Sequence, residues 1–199
     1  MATGIILAGG AGKRMTEDKA FIEVGGRRII DVQLEVLSGL FGEVLIVGNR
    51  ERMERLAVYE RPGVRVIEEQ VRGRGPLGAI LSGLVTSGSE ENFVLACDMP
   101  FVKREAVRFI LGRLGGYQVA VPRTPGGLEP LHAAYTRDLV GPVAEELERG
   151  DLKVTGFYDG VCVNYIPWGE LERFDPTGRL LMNINSPEDM EAAAGRDAG

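Results

Sequence analysis

The sequence has little of what marks several large classes of protein. Its two cysteines, Cys97 and Cys162, give neither a disulfide framework nor a zinc-ligand spacing. They read as buried thiols flanking apolar strands. The one histidine, His132, sits between apolar residues and forms no triad or zinc pattern, so it reads as a satisfied structural side chain. No apolar run reaches the roughly 18 residues of a membrane span. No basic-then-apolar leader precedes the first apolar run, so a cytoplasmic protein without a membrane partner is expected. Positive charge is not in excess either. The 199 residues carry a formal net charge of −6, which excludes a nonspecific nucleic-acid coat protein. The P-loop pattern is missing, and Gly10-Ala11-Gly12-Lys13-Arg14-Met15 lacks the last glycine of the dinucleotide fingerprint.

What is present is an ordinary globular composition, 44% hydrophobic and 26% charged. No repeat, low-complexity block or interdomain linker interrupts it. One domain over 1–194 is expected, with 195–199 as a frayed tail. Short apolar runs at 5–7, 43–47, 64–67, 93–97, 118–121, 131–135 and 161–166 read as strands. Between them, helical spacing links Ile30, Leu34, Leu37 and Phe41, then Leu77, Ile80, Leu81 and Leu84, then Ala106, Val107, Ile110 and Leu114, then Leu139, Val143 and Leu147. Residues 151–159 read as a short helix. Pro76 and Pro187 suit first helical turns, and Ser186 with Asp189 reads as a capping box. Strands alternating with helices imply an α/β fold with a mostly parallel sheet covered on both faces.

In such sheets ligands bind beyond the carboxyl ends of the strands. Gly9-Gly10, Asn49, Glu69 and Asp98 each follow an apolar strand, so they should converge on one crevice. Glycines let backbone N–H groups approach a ligand closely. Arg14 and Lys19, just downstream, add positive charge suited to phosphate oxygens. A carboxylate such as Asp98 at a strand end suits Mg²⁺, which takes oxygen ligands and bridges phosphates. Asn49 could serve a sugar or a base, and equally a turn; Glu69 could meet a ribose hydroxyl or face solvent.

Leu7-Ala8-Gly9-Gly10-x-x-x-Arg14-Met15, followed by Asp18-Lys19, resembles the signature loop of the molybdenum cofactor guanylyltransferases, within the wider nucleotidyltransferase superfamily. The resemblance continues, in order, through Gly75-Pro76-Leu77, Cys97-Asp98-Met99-Pro100-Phe101, Pro130-Leu131-His132-Ala133 and Asn183-Ile184-Asn185-Ser186-Pro187-Glu188. It implies a three-layer Rossmann-like nucleotidyltransferase fold and transfer of GMP from MgGTP to molybdopterin, with recipient molybdoenzymes as transient partners. Carried over by position, Leu7, Ala8, Gly9 and Gly10 line the guanine site, and Lys19, Asn49, Glu69 and Asp98 complete the GTP contacts. Arg14, Lys19 and Asp98 are the implied catalytic residues, with Asp98 on Mg²⁺. Asn183 and Asn185 fall near the pterin side. Related cytidylyl enzymes typically carry Ala where Gly9 stands, so Gly9 favours guanine. Two departures stand out: Thr16 replaces a glycine that often follows Arg14-Met15, and Glu69 stands where Asp is common.

Overall fold

Apolar runs too short for helices and rich in Val, Ile and Leu build the sheet. The computed structural model describes residues 2–9 and 19–194. Strand β1 (Ala2–Leu7) runs parallel between β4 (Glu43–Gly48) and β6 (Glu91–Ala96), so Ile6 pairs with Ile46 on one side and Leu95 on the other. Beyond β4 lies β5 (Val64–Glu68), also parallel. On the other flank β9 (His132–Thr136) pairs antiparallel with β6 and with β7 (Val119–Thr124). Strand β10 (Val163–Pro167) closes that edge parallel to β7, giving the order β10-β7-β9-β6-β1-β4-β5. A two-residue strand β8 (Gly127–Leu128) adds to β7, and β2 (Glu23–Val24) with β3 (Arg27–Arg28) forms a separate hairpin.

Alternation along each strand decides what each face buries. Ile6, Ile46 and Leu95 face α1 (Ile29–Ser38), α2 (Met53–Leu56), α4 (Arg104–Gly112) and α6 (Trp168–Leu171) in one cluster. Ile5, Leu7, Leu45 and Val94 face α3 (Gly75–Thr86) and α5 (Val140–Arg149) in another. The expected α/β sandwich is therefore present. The chain leaves β1 through α1 toward β4 and later returns through α3 to β6, on the other side of β1. That change of direction opens a crevice at the carboxyl end of β1.

Four local expectations need correction. Residues 151–159 were expected as a helix, but the turn there is a 3₁₀ segment, Gly156–Gly160. Cys97 is buried, whereas Cys162 is exposed, because it immediately precedes the half-buried edge strand β10. The strand read at 93–97 ends at Ala96, leaving Cys97 and Asp98 in a turn. His132 is fully buried, but its hydrogen bonds are not satisfied. Neither ring nitrogen has a partner among the described residues, and the ring stands edge-on to Phe93 at 5.3 Å. The last helix, α7 (Pro187–Ala194), is capped as read. Ser186 Oγ accepts from Asp189 N at 3.2 Å, and Asp189 Oδ2 accepts from Ser186 N at 2.9 Å. No helix among the described residues is long and apolar enough to cross a membrane.

Candidate active site

The sheet's hydrogen bonding continues just past the strands and fixes the site's starting points. Ala8 N donates to Val47 O at 2.8 Å, Cys97 N to Leu7 O at 3.2 Å and Glu69 N to Gly48 O at 2.8 Å. Gly9, Asn49, Glu69 and Asp98 therefore leave neighbouring strands at one level. With Leu7 and Lys19 they line a crevice of about 610 Å³, closed on one side by Gly75 and Pro76 at the start of α3.

One end of this crevice is narrow. A Cβ on Gly9 would sit 3.3 Å from Asn49 N and 3.6 Å from Glu69 Oε2. On the opposite side, a Cβ on Gly78 would sit 2.9 Å from Glu69 Oε1. The longer Glu69 arm is thus lodged between two glycines. It is 8% exposed, and Oε1 has no partner among the described residues. Burial pushes its carboxyl above the ordinary 4.5. An unpaired buried acceptor costs about 1–3 kcal/mol, which a donor on a ligand would relieve. Asn49 takes the turn role that its sequence position allowed and also lines the crevice. Its Oδ1 accepts from Arg52 N at 3.2 Å as a cap, while the residue lines the crevice and its amide N–H groups remain to donate.

The other end is charged. Lys19 Nζ donates to Asp98 Oδ2 at 3.0 Å and also to Asn185 Oδ1. Asp98 Oδ1 is buried without a partner among the described residues. The backbone of Asp98 is held as well, since Ile184 N donates to Asp98 O at 2.8 Å. That segment is anchored by Asp175, whose carboxylate accepts from Arg179 N at 2.9 Å and Leu180 N at 2.8 Å. Among the described residues no group of three or more His, Cys, Asp and Glu side chains could hold a metal ion. A carboxylate with one unpaired oxygen fits a hard divalent cation that takes most of its ligands from water and phosphate.

Leu7, Gly9, Lys19, Asn49, Glu69 and Asp98 are brought together, and Asn185 reaches the same place through Lys19. Ala8 was expected to line the guanine site, but it is fully buried, with its N on Val47 O and its O taking a hydrogen bond from Arg52, and it does not line the crevice. Asn183 is half-buried and does not line the crevice. Gly10, Arg14 and Thr16 lie outside the described residues.

Three other residues enter that the sequence reading did not select. Arg52 lines the crevice and donates to Ala8 O. Glu129 is a second carboxylate near Asp98; burial and then the Asp98 charge raise its pKa above 4.5. Gln33, fully buried on α1, donates through Nε2 to Ala96 O at 2.8 Å and Met99 O at 3.0 Å. A polar residue within the apolar stripe of Ile30, Leu34 and Leu37 was the available signal for Gln33. His132 is fully buried and does not line the crevice, and the same burial lowers its pKa to about 3.

Comparison with known proteins bears on the family and the fold. The model of the MobA-like NTP transferase domain matches residues 4–159. A protein of Pelotomaculum thermopropionicum named probable molybdenum cofactor guanylyltransferase is 37% identical over 192 residues, covering 96% of this chain and 91% of that one. The molybdenum cofactor guanylyltransferase of Syntrophotalea carbinolica is 32% identical, covering 95% and 89%. Among solved structures, the molybdopterin-guanine dinucleotide biosynthesis protein A of Archaeoglobus fulgidus superposes with a TM-score of 0.85 at 26% identity, covering 97% of both chains.

Proposed function

The chain belongs to the MobA-like NTP transferase domain family of nucleotidyltransferases, and from that premise we propose that it transfers GMP from MgGTP to molybdopterin and releases pyrophosphate. One observation carries the reading. A desolvated acceptor beside a glycine, Glu69 with Gly9, shares a crevice with an acid–cation pair, Asp98 with Lys19. The first suits a guanosine and the second its phosphates.

In this reading a phosphate oxygen of molybdopterin attacks the α-phosphorus of GTP, and the bond to the bridging oxygen breaks. The nucleophile is already an anion, so the protein needs no general base. Its contribution is positioning and charge stabilisation. Glu69 takes hydrogen bonds from guanosine donors, and the Gly9 backbone lets the base approach. Lys19 and Arg14 stabilise charge gathering on the transferred and leaving phosphates. Asn185 orients Lys19, and Asn183 belongs to the pterin side. Asp98 would hold Mg²⁺, which when bound supplies a Lewis acid and a template for the phosphate oxygens. A reducing cytoplasm suits the two cysteines, and recipient molybdoenzymes would be met transiently.

Pyrophosphate release from molybdopterin and MgGTP tests the reading. Asp98→Ala should lower turnover by about 10²–10³-fold while the protein stays folded, the size expected for losing one strong electrostatic group. Wild-type turnover by that variant would remove Asp98 from the mechanism. A folded wild-type protein that binds GTP and never releases pyrophosphate would instead be a cofactor carrier.

A further inference from the structure

The turn that carries Asp98 is clipped from beneath by a side chain of another element. Gln33 sits on the buried face of α1, in line with Ile30, Leu34 and Leu37. Its Nε2 donates to the carbonyls of Ala96 and Met99, the residues on either side of Cys97-Asp98. Both partners are acceptors, so both amide hydrogens are used and the orientation of the amide is determined. The other amide atom, Oε1, is buried without a partner among the described residues. A stripe built only for packing would place an apolar residue here. Gln33 instead accepts an unpaired oxygen in order to join the last carbonyl of β6 to the carbonyl just past Asp98.

We propose that Gln33 is a positioning residue for Asp98: by holding both ends of the Cys97-Asp98 turn it fixes where the carboxylate stands at the crevice. The proposal rests on the reading that Asp98 serves transfer through a divalent cation. Gln33 touches neither substrate nor metal. Its effect should therefore be confined to the charged end of the crevice. The guanosine end is carried by β1, β4 and β5, which Gln33 does not contact through hydrogen bonds.

The test compares Gln33→Met, which keeps length and removes both donors, with Gln33→Glu, which keeps shape and turns oxygens toward two carbonyls. In each folded variant the Mg²⁺ concentration giving half-maximal pyrophosphate release should rise about 10–100-fold, the usual effect of losing a group that orients a metal ligand. Mn²⁺ binding in the presence of GDP, followed by electron paramagnetic resonance, should weaken by a similar factor. GDP binding without metal should stay at the wild-type value. Unchanged metal dependence in a folded variant would overturn the proposal. So would an equal loss of metal-free GDP binding, or failure of both variants to fold, since each makes Gln33 a general structural residue. Asp98→Ala runs alongside. If it turns over normally, the reading of Asp98 fails and the proposal falls with it. If it is inactive while Gln33→Met behaves as wild type, only the proposal fails.

Discussion

Replacing Gly9 by alanine adds one methyl at the tightest place in the crevice. Its carbon would stand 3.3 Å from Asn49 N, 3.6 Å from Glu69 Oε2 and 3.7 Å from Gly48 C. The first distance is short enough that backbone must yield by a few tenths of an ångström, and no flexible side-chain end is there to move away. The backbone itself accepts alanine, since Gly9 is not among the glycines with positive φ. Alanine also restricts the unfolded chain, worth about 0.4–1 kcal/mol in favour of the fold. Stability should therefore change little, and the cost should fall on the ligand. One methyl in a fitted pocket discriminates by about 1–3 kcal/mol, or roughly 10–200-fold in kcat/KM. That loss is expected for GTP, whose purine needs the room, and not for CTP. The assay is transfer from radiolabelled GTP and CTP in competition, with molybdopterin as acceptor and a thermal melt as control. Undiminished GTP use would refute the placement of the base beside Gly9. An equal fall for both nucleotides would show that the methyl disturbs the phosphate end instead.

The other expectations concern charge and anchoring. Burial raises the Glu69 pKa, so the folded state holds that proton more tightly than the unfolded state. The unliganded protein therefore loses stability as pH rises from the ordinary carboxylate range through the raised value. Glu69→Gln lacks this loss, so its melting temperature should gain on wild type across that window and stay level above it; parallel curves would contradict the assignment. Asp175→Ala should cost about 1–3 kcal/mol in denaturant unfolding, because Arg179 N and Leu180 N lose their acceptor. In the same variant the Ile184 amide should exchange hydrogen faster, and unchanged protection there would show that Asp175 does not anchor the segment over Asp98.

The layered fold was legible because its strands are short runs of β-branched and aliphatic residues broken by helical spacing. Their carboxyl ends could be aligned by rule, which singled out Gly9, Asn49, Glu69 and Asp98. Direction was harder to read: Leu131–Tyr135 looks like any buried strand, and pairing with β6 and β7 makes it antiparallel. Gln33 was hidden because helical periodicity treats a polar residue on an apolar face as noise, whereas its acceptors are carbonyls 63 and 66 residues away. The link from Lys19 to Asn185 spans 166 positions, beyond any local pattern. The room that Gly78 makes for Glu69 has no sequence signature, since that contact joins β5's end to the first turn of α3.

The hydrogen bond from Ile184 to the Asp98 carbonyl also orders events during synthesis. The seven-strand path of the sheet is complete at Pro167, before Ile184 has been added. A ribosome that has emitted every strand has therefore not yet supplied the clamp over the acid or the asparagine partner of Lys19. Truncation in the last tenth of the chain would spare the strands and leave a site without its final fastening. Competence would thus come after the sheet.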